Sequence, residues 1–191
     1  MPSDGFHYHI LRVSYQKQHE ICNQLQTRLP AIHGRVFIPM WEYYRRDRKS
    51  IETKLMFIGY IFIRTDLSRS ELYDVCKNLA KPVRAHLLDD IDHLWDKNED
   101  SLFDLNPEEE LFFDSILDDT GTERMSRGYL GSGDRAVVME GPLKGYADRI
   151  VKLDKRNWIA WLDMQIGGQL VKAGLQICHP ATWPGEEVPP D

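Results

Sequence analysis

Residues 133–150 read GDRAVVMEGPLKGYADRI. The run 135–139 is rich in β-formers, and Gly141-Pro142 follows it as a tight turn. Proline presets one dihedral there, and glycine takes conformations that a Cβ forbids. Gly145 permits a backbone path that a side chain would block. Further β-rich runs follow at 150–153, 158–164, 169–171 and 175–178, separated by Gly, Pro and Asp. Five short strands within roughly 50 residues predict a small β-barrel.

Upstream the pattern is different. Residues 8–13 (YHILRV) read as a strand. Ile21, Leu25 and Leu29, with Cys22 beside them, mark one face of a helix that Pro30 closes. The stretch 35–46 (RVFIPMWEYYRR) alternates like a strand, with Pro39 pointing to an edge or a bulge. Residues 47–50 are turn-like, and 51–63 return as a second strand, so that 35–63 form a long hairpin. Ser68 can cap a helix whose buried face is Leu72, Val75, Cys76 and Leu79. Pro82 ends it, and 83–88 can add a strand. Strand, helix, strand, strand, helix, strand is the order of a ferredoxin-like split βαβ sheet with its helices on one face. Asn106-Pro107-Glu108-Glu109 opens a third helix. The expected class is therefore α+β. The expected division is an N-terminal domain over 1–118 with an acidic helical extension, a linker at 119–130, a β-barrel over 131–182 and a disordered tail at 183–191.

Charge is segregated along the 191 residues, whose formal net charge is -6. Residues 1–86 hold 14 Lys and Arg against 8 Asp and Glu, 87–127 hold 3 against 14, and 128–183 hold 7 against 5. Local basic patches thus survive an acidic whole, and nucleic-acid contact stays open. No apolar run approaches the roughly 20 residues of a membrane span. The N-terminus lacks the layout of a signal peptide. Cys22, Cys76 and Cys178 are scattered without a CxxC pair, which suits reduced, packed thiols in the cytoplasm.

The string Gly133-Asp134-x-x-Val137, Glu140-Gly141-Pro142-Leu143-Lys144-Gly145 and Ile150 resembles the KOW motif of NusG-type factors. Tyr8-His9-Ile10-Leu11-Arg12-Val13, Val36-Phe37-Ile38-Pro39 and Phe57-Ile58-Gly59-Tyr60-Ile61-Phe62 resemble the N-terminal (NGN) domain of the same family. The resemblance runs from residue 6 to about 180, in order. It implies an NGN domain followed by an SH3-like KOW barrel, in a monomeric transcription elongation factor rather than an enzyme, with no cofactor and no metal. Ile166-Gly167-Gly168 stands where the family often has Phe-Gly-Arg, which puts Rho and ribosomal-protein partners in doubt. Leu153-Asp154-Lys155-Arg156 and Ala160-Trp161 make the barrel resemble the LoaP branch of specialised antiterminators.

By this resemblance Tyr8, Phe57, Ile58 and Tyr60 line a pocket for the clamp helices of RNA polymerase. Phe57→Ala is then expected to abolish polymerase binding and leave the fold intact. Two basic sets are candidates for nucleic acid: Arg45, Arg46, Arg48 and Lys49 at the hairpin tip, and Lys144, Arg149, Lys152, Lys155 and Arg156 in the barrel. The first could reach bubble DNA and the second a nascent RNA hairpin. Strand alternation puts Trp41, Tyr43 and Arg45 on one face and Glu42, Tyr44 and Arg46 on the other. A solvated hairpin end and an evenly charged barrel surface are the plainer alternatives. The acidic block around His93 reads as a solvated segment, and His7 and His9 lack the neighbours of a zinc site. No Walker, HExxH or complete GxSxG string occurs.

Overall fold

A computed structural model of the chain describes residues 5–30, 33–77 and 102–179. The expected strand at 83–88, the acidic block and the tail at 183–191 lie outside these. The chain divides into two compact units, Met1–Pro39 with Phe57–Ser115, and Met40–Met56 with Ile116–Asp191.

The first unit is built on an antiparallel sheet of order β2-β5-β1-β6, from β1 (His7–Arg12), β2 (Gly34–Phe37), β5 (Tyr60–Thr65) and β6 (Leu102–Asp104). Tyr8, Ile10, Leu11, Ile61, Phe62 and Ile63 are all buried, so both faces of β1 and β5 are covered. Such strands read as continuous apolar runs, as these do. Helix α1 (Gln18–Arg28) buries Ile21, Cys22 and Leu25 as expected, and packs on β2 and β5. Helix α2 (Arg69–Lys77) starts with a reciprocal cap between Ser68 and Glu71. Helix α3 (Pro107–Ile116) does the same: Asn106 Oδ1 accepts from the N–H groups of Glu108 and Glu109, and Glu109 accepts from that of Asn106. Phe113 of α3 meets Phe57 and Phe62 edge-on.

The expected long hairpin is broken. Arg35 and Phe37 belong to β2, but Met40–Arg45 is a separate strand, β3, after the Ile38-Pro39 break. Proline has no N–H for a ladder, so the strand ends there. The return strand breaks as well, into β4 (Ser50–Leu55) and β5, at the turn that contains Gly59. β2 pairs with β5 and β3 with β4, in different sheets.

The second unit contains the β3–β4 hairpin. β3 pairs in parallel with β7 (Thr122–Glu123) in a three-stranded sheet. The remaining strands form a five-stranded sheet of order β10-β11-β12-β8-β9. They are β8 (Ser126–Leu130), β9 (Ala136–Glu140), β10 (Ile150–Asp154), β11 (Ile159–Ile166) and β12 (Gln169–Ile177). Two differences from the sequence reading stand out. The runs 169–171 and 175–178 are one strand through Gly174. This glycine marks a close approach, not a turn, since a Cβ there would lie 2.4 Å from the Glu42 carbonyl oxygen. Residues 119–130, read as a linker, instead hold β7 and β8, and β8 is paired on both sides. Gly141 keeps its turn role: φ is 96°, and an added Cβ would meet Ser126 Cα at 2.6 Å.

Candidate functional site

Tyr8, Phe57 and Tyr60 are interior residues, with 1%, 0% and 6% of their surface exposed. Phe57 stacks on Phe62 at 5.6 Å with an 8° interplanar angle. Tyr60 meets Phe103 edge-on, and the Tyr8 hydroxyl donates to Asp114 Oδ1 at 2.8 Å. Burial, and then the Asp114 carboxylate, push that hydroxyl above the ordinary phenol range. Ile58 is the opposite case, at 58% exposed. The four residues read as a pocket lining therefore divide into three core aromatics and one exposed aliphatic side chain.

What presents Ile58 is a residue the sequence reading passed over. Gln18, fully buried, donates from Nε2 to the carbonyls of Phe57 (3.2 Å) and Tyr60 (2.7 Å) and accepts at Oε1 from Gly59 N–H (3.1 Å). Val13 N–H donates to the Gly59 carbonyl, and Tyr15, two residues on, is also 58% exposed. A glutamine at the start of a helix carries no sequence signal for such a clamp. Only the tertiary fold brings residue 18 to residues 57–60.

The basic candidates also sort themselves. At the hairpin tip Arg45 is held by Asp47 (2.9 Å) and Glu52 (3.2 Å), and Arg48 reaches Glu52 at 3.5 Å. Arg46 and Lys49 are exposed and have no carboxylate partner among the described residues. In the C-terminal strands Lys155 pairs with Asp134 at 2.9 Å, and Lys152 Nζ lies 4.7 Å from the Trp161 ring centre. Arg156 and Lys144 are exposed, whereas Arg149 is half-buried in a short 3₁₀ turn. Lys152 lines an open groove of about 540 Å³ with Asp134, Arg135, Asp148 and Ile150, a lining of both signs.

Within β3 the expected alternation holds for the aromatic residues, while Arg46 lies in the turn beyond the strand. The Trp41 and Tyr43 ring centres are 5.9 Å apart, and Tyr44 meets a different ring. Tyr44 stacks on Trp158, with ring centres 4.0 Å apart and an interplanar angle of 25°. This contact joins the hairpin tip to the β10–β11 turn. Lys144 and Arg149 belong to the separate β9–β10 connection.

The histidines make carboxylate pairs: His9 Nδ1 lies 2.6 Å from Asp104, and His7 Nδ1 lies 3.4 Å from Glu110. Among the described residues no group of three or more His, Cys, Asp or Glu is placed to hold a metal ion. Cys22 and Cys76 are buried, and burial pushes their thiols up to about 11 and about 12, while Cys178 is half-buried. No described helix is long and apolar enough to cross a membrane.

Residues 6–86 match the family model described as "Transcription termination factor nusG". A solved structure described as "Domain interaction in Thermotoga maritima NusG" is similar at 15% identity, covering 90% of this chain and 94% of that one, with a TM-score of 0.41. No curated protein matches the chain by sequence.

Proposed function

We propose that the chain is a transcription elongation factor that docks on the clamp helices of RNA polymerase through its N-terminal unit. Docked there, it promotes processive antitermination, and its C-terminal strands bind an RNA hairpin or a protein partner, as in the LoaP branch. The observation that carries the reading is the NusG-family match over residues 6–86. That span includes Ile58, an exposed aliphatic side chain on a turn fixed by Gln18. An apolar anchor on a rigid turn suits a helix surface, because burial gives affinity and little freedom is lost on binding. No bond chemistry is required: a factor with higher affinity for the elongating than for the paused polymerase shifts the balance between them.

The test is co-purification with RNA polymerase, followed by transcription through a terminator with and without the native leader. Wild-type chain is expected to be retained and to raise read-through. Ile58→Asp should weaken retention about tenfold or more, from the lost burial of one aliphatic side chain, with the fold unchanged. Retention equal to wild type rules out docking through this turn. Increased termination in place of read-through assigns the chain to the housekeeping mode of the family.

A further inference from the structure

Two turns that lie about a hundred residues apart in sequence meet in the second unit. One is the β3–β4 tip, with Arg46 and Lys49; the other joins β10 to β11 and carries Arg156. Tyr44 and Trp158, stacked at 4.0 Å, close the gap between them. Arg46 is the first residue of the turn that follows β3, two residues beyond Tyr44, and Arg156 stands two residues before Trp158. Each ring of the stack thus has an exposed arginine two residues from it in the chain.

The juxtaposition is fixed by more than the rings. Glu42 accepts from Met125 N–H at 2.7 Å and from Arg124 at 3.0 Å. β3 pairs with β7 at its start, and Gly174 leaves room for the Glu42 carbonyl. On the other side the Trp158 carbonyl accepts from Leu175 N–H at 2.9 Å, which ties the turn to β12. Trp158 has φ of 57°, in the left-handed region. A bulky residue is an outlier there and persists only where its surroundings over-determine it. Lys49, at the other tip, has φ of 51°. Both turns thus spend backbone strain next to the surface they share.

The charges divide in a way that leaves this surface cationic. Arg45 and Arg48 are engaged by carboxylates, as is Lys155. Arg46, Lys49 and Arg156 are exposed and free of carboxylates among the described residues. Asp47 is held by Arg45, and Asp154, which precedes the other turn, is turned into its own loop. It accepts from the N–H groups of Arg156 and Asn157 and from Asn157 Nδ2.

We propose that these two turns form one composite site for the unpaired loop of an RNA hairpin, with phosphates on Arg46, Lys49 and Arg156 and bases against the Tyr44–Trp158 pair. The proposal rests on the RNA-binding reading above and specifies where and how that binding occurs. A hairpin loop presents splayed bases and closely spaced phosphates together. A duplex keeps its bases stacked inside and has no use for the aromatic pair, whereas single strands bind through cations and aromatic stacking at once. An acidic peptide would satisfy the cations alone.

Fluorescence anisotropy of the full chain with a pool of labelled RNA stem-loops carrying randomised loops tests this. Arg46→Ala and Arg156→Ala should each weaken binding and each lower the salt slope by about 0.7, the value for one phosphate contact on a single strand. Tyr44→Ala should weaken binding about tenfold with the salt slope unchanged, and Tyr44→Phe, which keeps the ring, should bind like wild type. If Arg156→Ala weakens binding while Arg46→Ala and Tyr44→Ala leave it unchanged, the composite site is overturned and RNA binding by the C-terminal strands stands. If no stem-loop binds, the RNA reading itself falls. If a fully paired duplex or polyglutamate competes as well as the stem-loops do, the surface is a general polyanion site and the RNA-loop assignment is wrong.

Discussion

Phe57 and Ile58 are neighbours in sequence and opposites in environment, one fully buried and one more than half exposed. Truncating a buried phenylalanine to alanine costs about 3–5 kcal/mol. Phe57→Ala therefore damages the core formed with Phe62 and Phe113, and the expectation that it would spare the fold is withdrawn. Loss of polymerase binding in that variant would report unfolding as much as docking, which is why the binding test rests on Ile58. A second residue has a pH signature. Glu123 is fully buried, with Oε1 unpartnered and Oε2 accepting from Gly174 N–H at 3.0 Å. Burial raises its carboxyl well above the usual range, the Gly174 bond opposes this, and the charge of Glu42 adds to it. A raised acid binds its proton more tightly in the folded state. Its contribution is fully present below the unfolded value near 4.5, and is lost as pH rises toward the folded value. Asp118 acts in the other direction: burial pushes it up, but bonds from Thr120, Thr122 and Arg124 outweigh this and bring it to about 2. Its stabilisation is lost only as pH falls toward that value. Glu123→Gln isolates the first effect. Melting temperatures of the two proteins should coincide near pH 4 and diverge with rising pH, the variant being the more stable. A gap that stays constant from pH 4 to pH 8 would disprove a protonated Glu123.

At the scale of elements, the turn at 57–60 is held from outside by Gln18. Replacing Gln18 with alanine strips hydrogen bonds from the Phe57 and Tyr60 carbonyls and from Gly59 N–H, all at a buried site. Leaving buried backbone groups unpaired costs about 1–3 kcal/mol. The Gln18→Ala chain should unfold at lower denaturant by that amount and lose polymerase retention even with Ile58 in place. Retention at the wild-type level would mean that the turn holds its shape without the clamp. The elements themselves were legible where one local cause dominates: the Ile21-Leu25-Leu29 face of α1, the Ser68 and Asn106 caps of α2 and α3, and the Gly141-Pro142 turn. Reading failed where a tertiary partner supplied the cause. Gly174 looked like a break because a glycine inside a strand is a turn signal until the Glu42 backbone beside it is known. Residues 126–130 looked like a linker because Ser126, Gly128 and the charged Arg127 are weak strand formers. Pairing with β12 and β9 overrides that propensity. Tyr44 and Trp158 were seen singly or not at all, since nothing in sequence says which ring a ring will meet.

At the scale of the whole molecule, the largest difference from the sequence reading concerns the β3–β4 hairpin. Its strands lie inside the N-terminal half of the sequence, within the stretch that matches the NusG family, yet they belong to the unit formed by the C-terminal strands. Contiguity in sequence suggested a boundary at 118. The ladder Met40↔Thr122 and Trp41↔Glu123, the bonds from Met125 and Arg124 to Glu42, and the Tyr44–Trp158 stack all cross that position within one unit. A fragment ending at residue 118 would keep β1, β2, β5 and α1 with their pairings but deprive β3 of its parallel neighbour. A two-stranded hairpin without a covered face is marginal in water. Hydrogen exchange should therefore show the amides of Met40–Arg45 protected in the full chain and fast in the 1–118 fragment, while those of β1 and β5 stay protected in both. Slow exchange of the β3 amides in the fragment would show that the hairpin is self-sufficient. The division of the chain would then follow sequence order after all.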